Sequence, residues 1–309
     1  MYRRIACFVA LAALFAALDR PAIAQDATPA PPTDQVIPLA ENVYAFSSGN
    51  YVSLIIVTDE GVIATDPSSQ FDTDRASRLE AAIAELTDQP VRYLVYSHSH
   101  ADHATGGGVF SDTATFVSHA NAVDKIAELG DPNTPVPAIS FDSTMTIELG
   151  GTTVELIYTG RNHSDNSLVV FLPAERILYA VDFIPVDTLP FQDLPDFYPE
   201  EWIESLTWID EQLDFDTLVT GHPPETGTKA DVVEIRTYAQ DLTAAVEEAR
   251  AQGLADNSPE MIEHVRAALE PAYGAWGNFA EWLPLNIEGL IRIWSAQEAA
   301  PEASPSPQA

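Results

Sequence analysis

Four side chains that commonly bind metal ions lie within six consecutive residues of this sequence. His98, His100, Asp102 and His103 follow an apolar run that ends near Ser97. Positions 98, 100 and 102 alternate, so an extended chain places their side chains on one side, while His103 points elsewhere. The chain has only 7 histidines, which makes a chance cluster a poor explanation. Neutral imidazole and carboxylate groups are typical zinc ligands, so this segment predicts a metal site.

Three further candidate ligands come directly after later apolar runs. His163 follows the run 156–160, Asp182 follows 177–181, and His222 follows 218–221. In α/β folds, binding sites assemble at the carboxyl ends of strands. We therefore expect these side chains to meet the first cluster at one edge of a sheet.

The segments that must position these side chains read as strands and helices in an α/β order. Short β-branched or aromatic runs bounded by turn residues predict strands at 43–47, 51–58, 61–66, 91–97, 144–149, 153–158, 168–172, 177–181 and 217–220. Apolar residues at helical spacing predict helices at 74–86, 120–129, 199–212, 229–252, 259–269 and 282–297. The last three helices form a C-terminal helical extension.

The N-terminus has the features of a secretory signal peptide. Arg3 and Arg4 precede an apolar stretch at 5–18, and Ala22-Ile23-Ala24 supplies a small-x-small cleavage pattern. We therefore predict a periplasmic or secreted protein that keeps no stable membrane anchor after cleavage. The chain divides into five predicted parts, which are a signal peptide at 1–24, a flexible leader at 25–35, the metal-binding domain at 36–225, the helical extension packed on it at 226–295, and a disordered tail at 296–309.

Composition excludes several classes of function. The formal net charge is −33, and such a surface repels nucleic acid phosphates, so no nucleic acid partner is expected. Cys7 is the only cysteine and lies in the predicted signal peptide. A disulfide framework and a cysteine nucleophile are therefore excluded from the mature chain. A small molecule is the expected substrate.

The span from 43 to 222 resembles the metallo-β-lactamase superfamily. The H-x-H-x-D-H signature is complete at 98–103 and is followed by Gly106 and Gly107, and the later His, Asp and His of the family match the three ligands described above. The resemblance implies an αββα sandwich with metal ions at one edge. Asp66, at the end of an early strand, matches a family Asp that supports the ligands from behind.

The same resemblance implies how the ligands are shared between two metal ions. Asp182 would bridge the two ions. The first ion would take His98, His100 and His163, and the second would take Asp102, His103 and His222. Two Zn²⁺ ions are the expected cofactors, although iron and manganese accept the same ligand types. Asp102 would also be catalytic, since it would orient the nucleophile.

The segment from 163 to 179 looks especially like the largest subclass of zinc β-lactamases. Two positions depart from that subclass. Asp182 stands where it has a metal-binding Cys, and Pro185 stands where it usually has a Lys that binds the substrate carboxylate. Arg161 is an alternative anchor for an anionic substrate or an ordinary surface residue. The 184–198 segment, rich in Pro, Asp and Phe, is the predicted substrate loop, because loops on rigid scaffolds carry specificity.

Together these observations predict a secreted dinuclear zinc hydrolase that uses a metal-bound hydroxide to open an amide or ester, most similar to a β-lactamase. A lactonase, esterase or thioester hydrolase of the same fold is an alternative, because Asp at position 182 is the more general choice in the superfamily. A mononuclear-iron persulfide dioxygenase shares a similar signature. A non-catalytic binding protein on this scaffold is disfavoured, because all seven ligands are present.

Overall fold

The structure is a computed structural model that describes residues 34–299. The predicted signal peptide, nearly all of the leader and most of the predicted tail lie outside these residues. The strands within them are β1 Gln35–Ala40, β2 Val43–Ser48, β3 Tyr51–Thr58, β4 Gly61–Thr65, β5 Val91–Val95, β6 Thr115–His119, β7 Ile139–Phe141, β8 Thr144–Leu149, β9 Thr152–Tyr158, β10 Leu168–Leu172, β11 Ile177–Ala180, β12 Thr217–Val219 and β13 Thr226–Gly227. The α-helices are α1 Arg75–Leu86, α2 Ala101–Ala104, α3 Ala120–Glu128, α4 Pro199–Gln212, α5 Lys229–Ala251, α6 Pro259–Tyr273 and α7 Phe279–Ala299.

The strands form two sheets. One sheet has the order β1-β2-β3-β4-β5-β6-β7 and the other has the order β13-β12-β11-β10-β9-β8. Strands β1 to β4 pair antiparallel, and β4 to β7 pair parallel. In the second sheet, β11 and β12 are the parallel pair. Parallel strands place their carboxyl ends at one edge of a sheet. The segments that carry the candidate ligands lie at this edge.

Alternation along the strands produces three apolar layers. In β3, Leu54 packs between the two sheets, whereas its neighbour Ile55 packs against the outer helices α1 and α3. In β10, Val170 faces the other sheet and Val169 faces α4 to α7. Successive strand residues point to opposite faces, so strands covered on both faces are apolar throughout. The predicted fold class, an αββα sandwich with a C-terminal helical extension, is confirmed.

Several element boundaries differ from the sequence-based prediction. Strand β1 was missed because it is largely exposed and contains Pro38, so it lacks an apolar pattern, and it begins at Gln35 inside the predicted leader. Strands β6, β7 and β13, which are 5, 3 and 2 residues long, were also missed. Helix α7 continues to Ala299, beyond the predicted start of the tail, since Gln297, Glu298 and Ala299 are good helix formers. None of the helices within residues 34–299 is long and apolar enough to cross a membrane.

A buried arginine ties the first sheet to the loop that follows β4. The side chain of Arg75 is fully buried and donates to the Ser53 hydroxyl at 3.0 Å, the Pro67 carbonyl at 3.0 Å and the Tyr51 carbonyl at 3.1 Å. Burial lowers the pKa of Arg75 to about 10, so the guanidinium stays charged at neutral pH. These bonds fix the backbone of β3 and of the loop after β4, where the carbonyl of Asp66 also accepts from Arg75 at 3.4 Å.

Replacing Arg75 with Met should destabilise the protein by about 3 kcal/mol, because several buried carbonyls would lose a charged donor. The measurement is the urea midpoint of unfolding. Arg78→Met is the matched control on the same helix. The Arg78 side chain is 31% exposed and pairs with Asp34 and Asp72, so its loss should cost less than about 1 kcal/mol. Equal midpoint shifts for the two variants would contradict this role for Arg75.

Candidate metal centre

The candidate ligands meet at the carboxyl-end edge of both sheets. The 98–103 segment follows β5, His163 lies in the loop between β9 and β10, Asp182 follows β11, and His222 follows β12. Two backbone hydrogen bonds join the sheets here, from Leu168 N to Ser97 O and from Val52 N to Gly221 O, both 2.9 Å. The ligand segments of the two sheets are thereby held against each other.

The seven side chains fall into two groups whose ligand atoms lie within 4.8 Å of one another in each group. One group is His98, His100, His163 and Asp182, and the other is Asp102, His103 and His222. The sequence resemblance implied this same division. The structure therefore brings all seven sequence-predicted ligands together, as two adjacent sets.

Asp182 lies between the two groups. Its Oδ2 is 3.4 Å from His98 Nε2, 3.4 Å from His103 Nε2 and 3.3 Å from His163 Nε2, while its Oδ1 is 2.9 Å from His222 Nε2. The backbone at Asp182 has φ of 67°, a left-handed conformation that Asp tolerates better than most residues. Strained backbone of this kind is found at functional sites. Among residues 34–299, Asp182 is thus the one carboxylate that contacts histidines of both groups.

On the buried side of the site, Asp66 and Ser97 hold two histidines. Asp66 Oδ1 accepts from Ser97 N at 2.8 Å, and its Oδ2 accepts from Ser97 Oγ at 2.6 Å and Tyr179 Oη at 3.0 Å. Asp66 Oδ2 is 3.3 Å from His103 Nδ1, and Ser97 Oγ is 2.9 Å from His98 Nδ1. Each histidine therefore turns its Nε2 atom toward the ligand groups. Such partners behind a ligand fix its ring orientation and tautomer.

On the open side, two residues that the sequence did not single out hold the other histidines. Asn50 O lies 2.5 Å from His222 Nδ1, which leaves His222 Nε2 directed at Asp182. Asp196 Oδ2 lies 3.2 Å from His100 Nε2, which leaves His100 Nδ1 directed at the first group. Neither contact had a sequence signal, because both join segments far apart in the chain.

Burial and neighbouring charges shift the pKa values of the candidate ligands in different directions. Burial lowers the pKa of His98 and lowers that of His100 to about 3, so both imidazoles are neutral at neutral pH, as metal binding requires. Burial opposes the ionisation of Asp182, but the neighbouring His103 and His222 hold its pKa well below its usual range. Burial also opposes a proton on His103, but Asp182 and Asp66 raise its pKa. The site pairs a deeply buried anion with imidazoles, which is a donor set suited to a divalent cation.

Two buried polar atoms support the fit of a divalent cation to this site. Within the described part of the chain, the buried atoms His98 Nε2 and Asp182 Oδ1 form no hydrogen bond of acceptable geometry, although His222 Nε2 lies 2.9 Å from Asp182 Oδ1. Buried polar atoms are normally paired, and a missing ion is one explanation for an exception. Both atoms belong to the first ligand group. The residues present therefore fit a resident divalent metal.

Three of the seven candidate ligands are partly exposed. The side chains of His98, His103, His163 and Asp182 are at most 9% exposed, whereas those of His100, Asp102 and His222 are 26%, 28% and 33% exposed. Tyr51 lies beside this opening, where its hydroxyl donates to Asp102 Oδ2 at 3.4 Å and its ring packs on the rings of His103 and His222. A substrate would approach across these partly exposed residues.

Other sequence candidates are placed around this opening. Arg161 binds Glu201 through two hydrogen bonds and stacks over the Tyr198 ring at 4.3 Å, so it is engaged in a surface pair. Phe197 of the 184–198 loop packs against His163 with ring centroids 5.0 Å apart.

The two sheets, the flanking helices and the paired ligand groups define an αββα protein with a candidate dinuclear metal centre. The family model described as the metallo-beta-lactamase superfamily matches residues 48–222, more than half of the chain. The chain belongs to the metallo-β-lactamase superfamily.

Individual relatives span different shares of this chain. The 2,4-dinitroanisole O-demethylase subunit alpha of Nocardioides sp. (strain JS1661) is 26% identical, over 81% of this chain and 76% of the relative. A metallo-beta-lactamase type 2 from Elizabethkingia meningoseptica is 22% identical, over 62% of this chain and 79% of the relative. The solved structure of a metallo-beta-lactamase from Pontibacter korlensis superposes with a TM-score of 0.60 at 21% identity, covering 67% of this chain and 99% of that chain. The similarity to this solved structure supports the assignment of the fold.

Proposed function

We propose that this protein is a secreted hydrolase that binds two zinc ions and opens amide or ester bonds, with β-lactams and lactones as the first substrate classes to consider. The observation that carries the proposal is the complete set of seven ligands in two groups around Asp182. Histidine and carboxylate sets of this kind bind zinc, and an accessible side leaves room for water and substrate. The signal-like N-terminus supports a periplasmic or secreted location.

Bound zinc ions would supply activated water and polarise the oxygen of the scissile bond. The chain's own residues would orient the attacking water and bind the substrate. Asp102 is partly exposed beside the centre and would orient the attacking water. The Asn50 amide lies at the same opening, where its NH₂ group can donate a hydrogen bond to an oxygen of the substrate, while the Tyr51 hydroxyl donates to Asp102 and would help to position it. Phe197 of the 184–198 loop packs against the ring of His163.

A second substrate class is favoured by one relative. The 2,4-dinitroanisole O-demethylase subunit alpha aligns with 81% of this chain, whereas the β-lactamase described above aligns with 62%. We propose electron-poor aryl methyl ethers as this second class. Hydrolysis would add water at the ring carbon that carries the methoxy group, and would release a phenol and methanol.

A substrate panel tests the proposal. The purified protein, loaded with zinc, is assayed against a chromogenic cephalosporin, γ-lactones, p-nitrophenyl esters, a thioester and 2,4-dinitroanisole, each with and without a chelator. Turnover of at least one amide or ester class that the chelator abolishes is the expected result. Turnover of the ether alone would favour the second class. No turnover of any member would contradict a hydrolase, and persulfide consumption by an iron-loaded sample would support the dioxygenase alternative.

A further inference from the structure

We infer that this site selects substrates that carry no negative charge beside the scissile bond, and that Asp196 is the residue that enforces this selection. The inference rests on the proposed hydrolase function and narrows its substrates from β-lactams and lactones to lactones and other uncharged esters, because the common β-lactams carry a carboxylate beside the scissile amide. It is carried by the charge distribution at the partly exposed side of the candidate site within residues 34–299. Three observations support it.

The first observation is where the Asp196 carboxylate lies. Its Oδ2 is 3.2 Å from His100 Nε2, and its side chain is 70% exposed. His100 is itself one of the ligands that border the opening. A substrate that reaches the first ligand group therefore passes beside a carboxylate. A like charge on the substrate would be repelled at this distance, and specificity commonly depends on such repulsive elements.

The second observation is that Asp196 is held in place. The 184–198 loop is fastened to α7, where the amide of Asn286 donates to Pro190 O at 3.0 Å and Gln192 O at 2.6 Å. Arg292 donates to Asp193 O at 2.8 Å, and a side chain in place of Gly289 would collide with this same carbonyl. Because the backbone before Asp196 is anchored on α7, the carboxylate of Asp196 is held near the candidate metal centre.

The backbone that follows Asp196 is also held in place, through contacts of Phe197 and Tyr198. The ring of Phe197 packs between His163 and Trp202, and Tyr198 N donates to Asn162 O at 2.9 Å. Asp196 therefore has anchored backbone on both sides. A pre-placed charge discriminates between substrates more strongly than one on a mobile segment, because no ordering cost offsets the repulsion.

The third observation concerns the positive charges. Among residues 34–299, no Lys or Arg side chain forms a hydrogen bond or ion pair with any of the seven candidate ligands. The cations on neighbouring elements are engaged elsewhere. Lys125 binds Asp165 and Arg161 binds Glu201, while Arg292 binds the loop carbonyls. The neutral donors Asn50 and Tyr51 border the rest of the opening. A substrate carboxylate would meet Asp196 on one side and no cation bound to a candidate ligand on the other, and Lys125, whose charge attracts Asp196, is itself paired with Asp165.

Matched ligand pairs test this inference. The protein is loaded with cobalt, and the affinity of 3-mercaptopropionate is compared with that of its uncharged methyl ester through the thiolate-to-cobalt absorption band. In parallel, kcat/KM is compared for p-nitrophenyl butyrate and the singly charged mono-p-nitrophenyl succinate in the zinc-loaded protein. We expect the uncharged member of each pair to be favoured about tenfold, the size of a like-charge interaction near a protein surface.

The variants separate charge from positioning. Asp196→Asn should reduce the preference in both assays to about twofold, and Asp196→Lys should reverse it. Raising the salt concentration should weaken the wild-type preference and leave that of Asp196→Asn unchanged, because an exposed charge is screened. A role limited to orienting His100 would not change with salt. Asp112→Asn is the control, since Asp112 is exposed, lies outside the predicted substrate loop and forms no side-chain contact with a candidate ligand.

The two assays distinguish failure of this inference from failure of the proposed hydrolase function. If the charged thiol binds the wild-type protein as tightly as the ester, or if Asp196→Asn leaves the ratio unchanged, the inference is wrong. If neither ester is hydrolysed but the thiols show the expected ratio, the hydrolase proposal fails and the charge selection stands. Hydrolysis of both esters at equal rates would leave the hydrolase and overturn the selection.

Discussion

Replacing Asp182 with Asn should empty the metal centre and lower kcat/KM at least about 100-fold, because even outer partners of metal ligands cost 10- to 100-fold when changed. Asp182 contacts histidines of both ligand groups. The substitution keeps the size of the side chain, and Asn accepts the left-handed backbone at this position as readily as Asp does. The loss would therefore come from the missing charge and ligand oxygen. The measurement combines elemental analysis with the hydrolysis assay.

Asp187→Asn is the matched control for this prediction. Asp187 has φ of 51° and lies a few residues further along the chain, but its side chain is exposed. It should retain metal and activity within about twofold, as exposed substitutions away from a site usually have small effects. An Asp182→Asn variant that keeps its metal and its activity would refute the bridging role. Far-ultraviolet circular dichroism should show that both variants are folded.

Replacing Asp66 with Asn should lower metal affinity roughly 10- to 100-fold and destabilise the fold by about 3 kcal/mol. Asp66 is fully buried, and both of its oxygens accept hydrogen bonds, from Ser97, Tyr179 and His103. An amide presents one NH₂ group in place of an oxygen, so in either orientation a donor would face a donor. His103 would lose the partner that orients its ring.

Tyr179→Phe is the control for Asp66. It removes one donor, while Asp66 keeps its bonds from Ser97 and its contact with His103. We expect a cost of about 1 kcal/mol and less than a threefold change in metal affinity. Metal affinity is measured by competition with a chromophoric chelator, and stability by urea unfolding of the metal-free protein. If Asp66→Asn binds metal as well as Tyr179→Phe does, then Asp66 supports only the fold.

The candidate ligands could be chosen from the sequence because they follow apolar strands. The cluster at 98–103 is local, so its residue types and spacing alone indicated a metal site. The expected extended chain through position 102 is wrong, because Ala101–Ala104 forms a helical turn and Asp102 falls in the second group with His103. The division of the ligands into two groups required the family resemblance, since it depends on how distant strand ends meet. Strongly apolar strands such as β3 and β10 were predicted closely. The exposed strand β1 was missed, because its pairing with β2, and not its own burial, determines its conformation.

The residues that hold the ligands from outside could not be predicted. Asn50 lies in a two-residue turn between β2 and β3 and has the sequence of an ordinary hairpin turn. Asp196 is one of several acidic residues in a polar loop, and only the fold places it against His100. Asn286 lies in a helix with no sign that it binds a loop 94 residues away. Each of these contacts joins distant segments, so its signal exists only in three dimensions.

Metal content with chelation tests the central claim most directly. The protein is purified without added metal, its bound metals are quantified, and hydrolysis is assayed before and after a chelator and again after zinc is restored. The account predicts about two zinc ions per chain, as a dinuclear centre requires, with hydrolysis that disappears on chelation and returns with zinc. A single iron per chain with no hydrolysis, or hydrolysis that survives complete removal of metal, would contradict it.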